Sequence, residues 1–310
     1  MKALVASAYG PVQQLRIRDV PDPSPGPGQV LVRVEAAALN PIDVKLVTGE
    51  LRTMYPVTHP FVPGVDATGV VAAVGEGVTR FAAGDEVIAY AGAASGTIAE
   101  YVLVGAGPGL VHRPRALPTA QAAALPMAAM TAHCVLAAAA LQPGDDVLVI
   151  GATGGVGAFV VQQAAELGVR VLATAAPADT AYIRALGAHE TIDHTAVDTL
   201  ATARRSQPGG LDVVIDLINA GPALVATAGL VRPGGRLIST LYGPEEAGGL
   251  VPVYVRMEAS IGDLPRQAEQ AAAGRMSIEV AATYPFDKSA QAMCDLAESR
   301  HTRGKIIITF

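Results

Sequence analysis

Two different patterns of apolar and polar positions divide the chain. Over about the first 115 residues, short apolar runs alternate with segments rich in Gly, Pro, Ser and Asp. Runs bounded by such turn-forming residues predict β-strands, and several short strands in succession predict a small barrel or sandwich. The predicted strands of this region are KALVASA, QVLVRVEAAAL, GVVAAVG, DEVIAYA, TIAEYVLV and GLVHRP.

From about residue 120 onward, predicted strands alternate with predicted helices. This alternation predicts a parallel, doubly wound sheet. The length of 310 residues favours two domains, since a domain has roughly 150 residues. A Pro-Gly-Gly turn is predicted just before the fifth strand, and GKIIITF is predicted to close the chain as a strand. The predicted strands of the alternating region are 147–150, 170–174, 190–193, 212–217, 236–240 and 252–256.

A glycine-rich segment follows the first of these strands. It reads Gly-Ala-Thr-Gly-Gly-Val-Gly over 151–157 and precedes a helical pattern over 158–167. Such a turn lets backbone amides approach a pyrophosphate, and the positive end of the helix dipole favours phosphate groups. Gly154 and Gly157 take the second and third glycine positions of G-x-G-x-x-G, whereas Ala152 takes the first. The segment therefore predicts a dinucleotide site of variant form.

The end of the second predicted strand bears on which dinucleotide binds. A site for NAD usually has Asp or Glu about 20 residues after the turn, where the acid holds the ribose diol. Here the strand ends in Thr174-Ala175-Ala176-Pro177, and the next carboxylate is Asp179. The missing acid removes repulsion against a 2′-phosphate, so the sequence favours NADP. His194 and Arg184 are candidates to reach that phosphate, although Arg184 can equally lie on a solvated helix face.

Composition narrows the possible partners. A net charge of −6 and a pI of about 5.5 do not favour binding to a nucleic-acid backbone. Two cysteines, Cys134 and Cys294, give no disulfide framework, which fits a reducing, cytoplasmic setting. The N-terminus also lacks a signal-peptide pattern.

The segment 122–141 has no Asp, Glu, Lys or Arg, but Pro126 interrupts it. A buried helix is therefore favoured over a membrane span.

Several motifs, in order along nearly the whole chain, carry a family resemblance. They are ALNPIDVKLVTGE (38–50), PFVPGVDATGVVAAVGEGVTRFAAGDEV (60–87), AAALPMAAMTA (122–132), GATGGVG (151–157), ALGAHETIDH (185–194), LDVVIDLI (211–218), RPGGRLIS (232–239) and RGKIIITF (303–310). With these motifs the sequence resembles the zinc-independent quinone oxidoreductase branch of the medium-chain dehydrogenase/reductase superfamily.

The resemblance implies an α/β fold with two domains. Residues 1–120 and the returning segment 261–310 are expected to form a GroES-like β-barrel catalytic domain. Residues 121–260 are expected to form a Rossmann domain with a doubly wound parallel sheet that binds NADPH. The resemblance also implies a cofactor in the cleft between the domains and a homodimer joined through the edge strand near 252–256.

The resemblance further assigns cofactor contacts to particular residues. The pyrophosphate-binding backbone is Gly154, Gly155 and Val156, and the threonine near the nicotinamide is Thr131. The segment after the fifth strand is Leu241, Tyr242 and Gly243, and the C-terminal basic pair is Arg303 and Lys305. Ala152 in the turn, Thr174 at the strand end and His194 complete the set. His194 stands where many relatives have Tyr, and 175–177 lacks the Ser or basic residue that relatives often carry.

Zinc ligands are missing from the positions where related dehydrogenases hold a catalytic zinc. Zinc relatives place Cys near position 40 and Gly-His-Glu near 64–66, whereas this chain has Asn40 and Gly64-Val65-Asp66. A catalytic zinc needs about three ligands of Cys, His or acid type. The neighbours His133 and Cys134 point about 100° apart on a helix and cannot chelate well. We therefore expect no metal.

Without a metal to polarise an alcohol, the easier reaction is hydride delivery to an activated acceptor, which is a quinone or the β-carbon of an enone. Asn40, Lys45 and Tyr55 are the candidate catalytic residues, because donors near the substrate oxygen stabilise the developing anion. Tyr55 or solvent can supply a proton. Lys45 can equally be a surface charge and Tyr55 a packing residue, while Asp43 and Asp66 are expected to brace loops.

Two other functions fit parts of the sequence. The turn also resembles that of short-chain dehydrogenases, whose Tyr-x-x-x-Lys pair has a counterpart in Tyr284 and Lys288. That pair acts only from one helix face, whereas Pro285 disfavours a helix at Tyr284 and Asp287 is predicted to cap the helix that follows. The other alternative is a redox-inactive NADPH-binding sensor or structural protein, which turnover of a quinone or enone would exclude.

Overall fold

A computed structural model describes residues 1–92, 96–241, 243, 246–247, 250, 252–254, 262–300 and 303–310. The chain divides into two compact units. Unit 1 consists of Met1–Met127 and Ile261–Phe310, and unit 2 of Ala128–Ser260. The C-terminal tail therefore belongs to the unit that the N-terminal strands build.

The strands, in chain order, are β1 (Lys2–Val5), β2 (Arg16–Asp19), β3 (Gln29–Ala38), β4 (Asp66–Val74), β5 (Glu86–Tyr90), β6 (Tyr101–Gly105), β7 (Leu110–His112), β8 (Asp146–Ile150), β9 (Arg170–Thr174), β10 (Glu190–Ile192), β11 (Leu211–Asp216), β12 (Val231–Ser239), β13 (Val253–Tyr254), β14 (Val280–Pro285) and β15 (Lys305–Thr309). The helices are α1 (Pro41–Thr48), α2 (Thr119–Ala124), α3 (Pro126–Ala139), α4 (Gly155–Glu166), α5 (Thr180–Ala185), α6 (Thr199–Ser206), α7 (Gly221–Ala228), α8 (Leu264–Ala272) and α9 (Ser289–Ala297).

The main sheet of unit 1 is organised around β3. Its described strands lie in the order β14-β15-β3-β4-β5-β7, with β6 also paired to β3, and all neighbours except β14 and β15 run antiparallel. Alternate residues of β3 are buried, and Val30, Val32 and Val34 enter one apolar cluster with side chains of β4 and β5. The alternation in the sequence therefore corresponds to a strand with one face in the core.

One strand of unit 1 was not predicted. β2 pairs antiparallel with β1, with Lys2 opposite Asp19 and Leu4 opposite Ile17. Its four residues, RIRD, include a single apolar side chain, so no hydrophobic pattern marks them. Pairing with β1, whose last three residues are buried, decides the conformation instead.

The tail returns to β3 and brings distant residues together. β15 runs antiparallel to β3, with Ile307 opposite Ala38, and the Leu39 amide donates to the Ile306 carbonyl at 2.9 Å. This register places Lys305, at the start of β15, beside Asn40, which follows β3.

Unit 2 confirms the predicted doubly wound sheet. Its described strands are all parallel, in the order β10-β9-β8-β11-β12-β13. The chain proceeds outward from β8 in one direction through β9 and β10, then crosses back to β11 on the other side of β8. In such sheets, ligands bind at the carboxyl ends of the strands where this reversal occurs. That point lies between the ends of β8 and β11.

Three details of the sequence prediction need correction or restatement. The Pro-Gly-Gly segment lies inside β12 as an irregularity, because Leu211 pairs with Val231 while Val213 pairs with Arg236. Asp287 does not cap α9, because it lies in a short 3-10 turn and α9 begins at Ser289. The apolar segment 122–141 folds as parts of α2 and α3, separated before Pro126. Within the described residues, no helix is both long and apolar enough to cross a membrane.

Candidate functional site

The glycine turn of unit 2 leads directly from a strand into a helix. β8 ends at Ile150, Gly151 takes a positive φ of 83°, and α4 begins at Gly155. The N-cap residue Gly154 has no side chain to cap the helix. The amino end of a twelve-residue helix therefore presents backbone amides and a positive dipole end, which is a ready site for phosphate.

The glycines of this turn differ in how tightly they are packed. A Cβ on Gly157 would lie 2.2 Å from the Gly151 carbonyl oxygen and 2.7 Å from Cα of Ala152, so helix and turn can pack only without it. A Cβ on Gly154 would have as its nearest neighbour the Gly151 carbonyl oxygen, at 3.6 Å. Gly157 thus serves packing, whereas Gly154 leaves open space where a pyrophosphate would approach.

Thr174, at the end of β9, holds the glycine turn in place through a hydrogen bond to its backbone. Its hydroxyl accepts a hydrogen bond from the Gly151 amide at 3.0 Å, and the residue is 5% exposed. Ala152 is fully buried under the turn, while Gly155 and Val156 form the first turn of α4. Of the predicted cofactor residues in this region, Thr174 and Ala152 therefore shape the turn, and the α4 backbone is what a ligand would meet.

A carboxylate that the sequence reasoning did not single out lies just after the neighbouring strand, β10. Asp193 follows β10 and accepts hydrogen bonds from the Thr195 amide at 2.9 Å and hydroxyl at 2.6 Å. These bonds lower the pKa of Asp193, so it is anionic at neutral pH. His194 is exposed beside it. The residues after β9, Ala175 and Ala176, carry no carboxylate, but Asp193 brings a negative charge to the end of the neighbouring strand.

Ile218 is a second residue that the sequence analysis missed. It follows β11, is 62% exposed, and lies so close to Gly151 that a Cβ there would be 2.6 Å from its Cγ1. The buried Asp216 carboxylate fixes this segment by accepting from the amides of Ile218 at 3.1 Å and Asn219 at 2.9 Å. An exposed apolar side chain beside the glycine turn suits contact with a flat ring.

The other cofactor residues predicted for unit 2 belong to α3 and to the segment after β12. Thr131 lies half-buried on α3. Leu241 follows β12 and its amide donates to the Ser239 hydroxyl at 3.0 Å. A Cβ on Gly243 would lie 2.9 Å from the Tyr254 hydroxyl oxygen. Tyr242 lies outside the described residues.

In unit 1, four polar side chains from three segments of the chain form what we term the buried polar cluster: Asn40, Asp43, Asp66 and Lys305. They are 3%, 0%, 0% and 6% exposed, respectively. The Asn40 side-chain amide donates to Asp66 at 2.9 Å and to the Ala38 carbonyl at 3.3 Å, and its Oδ1 accepts from the Lys305 ammonium. Lys305 and Asp66 form an ion pair at 3.8 Å. Both Asn40 N–H groups are therefore engaged within the protein.

Burial dominates the electrostatics of this cluster. It raises the pKa of Asp43 to about 7 and that of Asp66 to about 6, although Lys305 and backbone or side-chain donors oppose the increase. Burial also lowers the pKa of Lys305, against the attraction of Asp66 and Asp43. Both Asp66 oxygens accept hydrogen bonds, from Asn40 and from the Met127 amide at 3.1 Å. By contrast, Oδ1 of Asp43 has no hydrogen-bond partner.

The other candidate residues of unit 1 lie nearer the surface. Lys45, on α1, forms an ion pair with Glu50 at 3.2 Å and its side chain is 29% exposed. Tyr55 packs, partly buried, against the apolar cluster that includes Leu46. Arg303 donates from Nε to Glu279 at 2.7 Å. The structure thus brings Asn40 and Lys305 together, while Arg303 lies in a separate ion pair.

The pair Tyr284 and Lys288 does not have the geometry of the alternative enzyme class. Tyr284 lies in β14 and its hydroxyl donates to Asp295 at 2.6 Å, whereas Lys288 lies in the 3-10 turn before α9. The two residues do not share a helix face. Among the described residues, no group of three or more His, Cys, Asp and Glu side chains is arranged to hold a metal ion.

The chain is similar to known oxidoreductases in both sequence and fold. Residues 26–115 match the family described as Alcohol dehydrogenase GroES-like domain, and residues 186–308 match Zinc-binding dehydrogenase. The quinone oxidoreductase of Sus scrofa is 32% identical over 325 residues, which cover 99% of this chain and 97% of that protein. The chloroplastic NADPH-dependent alkenal/one oxidoreductase of Arabidopsis thaliana is 32% identical over 323 residues, covering 99% and 79%. The quinone oxidoreductase structure from Coxiella burnetii has a TM-score of 0.88 at 28% identity and covers 100% of this chain and 99% of that one.

Proposed function

Because the chain belongs to the quinone oxidoreductase branch of the medium-chain dehydrogenase/reductase superfamily, we propose that it is an NADPH-dependent reductase that delivers hydride to a quinone or an α,β-unsaturated carbonyl without a metal ion. The observation that carries the cofactor assignment is the glycine turn. Its helix amino end lacks a capping side chain, and the position of Gly154 is open. These features fit the pyrophosphate of a dinucleotide.

In this proposal the chain's own residues bind and orient the cofactor. The amides at the start of α4 would hold the pyrophosphate, and Ile218 would contact a flat ring of the ligand. Thr174 keeps the turn in shape through its hydrogen bond with the Gly151 amide. A bound nicotinamide supplies the hydride. The preference for NADPH is supported by the lack of an acid in Ala175 and Ala176, whereas Asp193 nearby counts against it.

Metal independence is supported by the chemistry of unit 1. The positions that would carry metal ligands hold Asn40, Val65 and Asp66, and the Lys305 ammonium already contacts Asn40 and pairs with Asp66. An internal cation in this place competes electrostatically with an added divalent ion. Quinones and enones accept hydride without the Lewis acid that alcohol oxidation needs, so such acceptors match the residues present.

Lys45 and Tyr55 are proposed to act at the acceptor. The Asn40 amide has both donors engaged by Asp66 and Ala38, so it is not available to the acceptor in this arrangement. The Lys45 ammonium, partly exposed and paired only weakly with a surface carboxylate, can favour negative charge on an acceptor oxygen. Tyr55 or water then returns a proton to that oxygen or to the α-carbon.

The direct test is oxidation of NADPH and NADH by the purified protein, with a panel of quinones and enones, after treatment with a chelator. We expect turnover with at least one acceptor class, a higher kcat/KM with NADPH than with NADH, and no gain on adding zinc. Binding of NADPH without turnover of any acceptor would favour a sensor or structural role. A tight preference for NADH, or activity that depends on zinc, would contradict the proposal.

We also propose a cytoplasmic homodimer. The two cysteines of the chain, Cys134 and Cys294, form no disulfide, which suits a reducing compartment. β13 is the last described strand at its edge of the unit 2 sheet, and Val253 on it is 41% exposed. A second copy can extend such an edge. Light scattering of the purified protein tests the dimer, and a monomer at micromolar concentration would contradict it.

A further inference from the structure

The buried polar cluster has a property that a simple ion pair lacks, because it contains a group with two distinguishable ends. The Asn40 carboxamide lies between a group that can only donate and a group that, when ionised, can only accept. Lys305 donates to its Oδ1, and Asp66 Oδ2 accepts from its Nδ2 at 2.9 Å. Lys305 and Asp66 pair with each other at 3.8 Å, which closes the triangle.

These contacts admit one orientation of the amide. Rotation by 180° about the terminal bond would place the amide NH2 against the ammonium and the amide oxygen against the carboxylate. Both contacts would be repulsive, and bulk solvent would screen them little, because all three residues are at most 6% exposed. Lys305 and Asp66 together therefore fix the orientation of the Asn40 side-chain amide.

Asn40 in turn fixes the start of α1. Its backbone amide donates to Oδ2 of Asp43 at 2.8 Å, and the Asp43 amide donates back to the Asn40 carbonyl at 2.9 Å. α1 begins at the next residue, Pro41, and carries Lys45 one turn later. The ammonium at position 305, which is 265 residues from Asn40, is thus linked to the segment that bears the proposed acceptor contacts.

We propose that Lys305 is a positioning residue for acceptor binding, which acts by orienting Asn40 and anchoring the start of α1, and that it does not contact the cofactor. The inference rests on the proposed function, since it assigns the acceptor site to the segment beginning at α1. A buried ion pair often contributes little net stability compared with apolar residues of similar volume. Orientation of a neighbouring group is a role that such apolar residues could not replace.

The chain offers a probe of this orientation that does not depend on activity. It contains two asparagines, Asn40 and Asn219. Asn219 lies in unit 2, and its side-chain amide donates to Asp216 at 3.0 Å, so it serves as an internal reference. With 15N-asparagine labelling, we expect the two Asn40 side-chain protons to exchange slowly with solvent in the wild type. In Lys305→Met they should exchange at least about tenfold faster, while those of Asn219 keep their rate.

Kinetics on a matched pair of variants separate positioning from folding. Lys305→Met leaves Asp66 without its cation and should lower Tm. The double variant Lys305→Met/Asp66→Asn removes both charges and should recover most of the lost Tm. An amide at position 66 can either donate or accept, so both orientations of Asn40 then become possible. We therefore expect the acceptor KM of the double variant to stay raised by about tenfold, with the Kd for NADPH within about twofold of the wild type.

The outcomes distinguish the alternatives. Recovery of both Tm and acceptor KM in the double variant would show a structural role alone and overturn the proposal. A weakened Kd for NADPH with an unchanged acceptor KM would show that Lys305 contacts the cofactor. If the wild type turned over no quinone or enone, the proposed function would fail, yet the exchange rates of Asn40 would still decide whether Lys305 orients it. Unchanged Asn40 exchange in Lys305→Met would refute that orientation.

Discussion

The glycine turn of unit 2 and the buried polar cluster of unit 1 handle charge in opposite ways. The turn brings no charge of its own, and Gly154 and Gly157 keep side chains away from a helix end whose amides can meet a ligand's phosphates. The cluster brings Asp43, Asp66 and Lys305 into the interior, where each charge needs a partner from the chain itself.

The two regions should therefore respond differently to substitution. The turn is shaped by the absence of side chains, so adding atoms should damage it. The cluster is shaped by charges that balance each other, so removing one charge should lower stability, whereas removing a matched pair should leave most of the stability intact.

Adding one methyl group should separate the packing glycine from the ligand-facing glycine. Gly157→Ala places a Cβ 2.2 Å from the Gly151 carbonyl oxygen, so we expect a lower Tm and a loss of NADPH affinity of about 100-fold or more. Gly154→Ala meets its nearest atom at 3.6 Å and has an ordinary φ of −69°. It should keep its Tm and lose about tenfold in affinity, as measured by calorimetric titration. Equal effects of the two substitutions would remove the distinction.

Deleting a single charge from the cluster should be costly. Asp66→Ala leaves the Lys305 ammonium buried without its carboxylate, and breaking such a pair typically costs about 3–5 kcal/mol. Urea unfolding provides the measurement. Asp19→Ala is the matched control, because its ion pair with Lys2 is exposed on both sides and should contribute little. Similar losses in the two variants would show that the cluster does not depend on its internal charge balance.

The raised carboxyl pKa values predict that stability falls as pH rises. Asp43 ionises near its ordinary value of 3.8 when unfolded but at about 7 when buried, so the folded state holds the proton that the unfolded state loses. The stabilisation is complete below about pH 4 and is lost as pH rises through about 7. Because Asp66 behaves similarly up to about pH 6, Tm should decrease between about pH 4 and 7 and level off above that range.

Asp43→Asn isolates this dependence. We expect a flatter profile of Tm against pH for the variant, with the largest gain over the wild type of a few degrees at the alkaline end. An unchanged slope would mean that Asp43 is ionised in the folded protein throughout this range.

Trimming an exposed side chain beside the turn should have the smallest effect. Ile218→Ala removes an apolar group that is 62% exposed, so Tm should not change, while the Kd for NADPH should rise about fivefold, which corresponds to about 1 kcal/mol of lost contact. Val197→Ala, also in unit 2 and 45% exposed, should leave the Kd unaltered. If both variants bound NADPH equally well, Ile218 would not contact the ligand.

The glycine turn could be predicted from the sequence because all of its determinants are local. A strand, the glycine segment 151–157 and a helical pattern lie within 147–167, and the period of apolar residues shows their order. The helix itself begins at Gly155, earlier than the predicted 158, because glycines with low helix propensity form its first turn. The same reasoning gave the doubly wound sheet. It did not reveal Ile218, because position 218 comes next to Gly151 only through the pairing of β11 with β8.

The buried polar cluster could not be predicted because its members meet through the tail. Asn40 and Lys305 become neighbours when β15 pairs with β3, a register that no local pattern specifies. The expectation that Asp43 and Asp66 brace loops agrees in part with their contacts to the amides of Asn40 and Met127. The raised pKa values of both acids follow from burial, which the sequence pattern around them does not indicate.

The most direct test of the central claim is the fate of the hydride. Chelator-treated protein would be mixed with a simple enone and with NADPH that carries deuterium at both C4 positions of the nicotinamide, and the product would be analysed by mass spectrometry and NMR. The account predicts deuterium at the β-carbon of the saturated ketone, at a rate that added zinc does not increase. A product without deuterium, or transfer that appears only after zinc is restored, would contradict it.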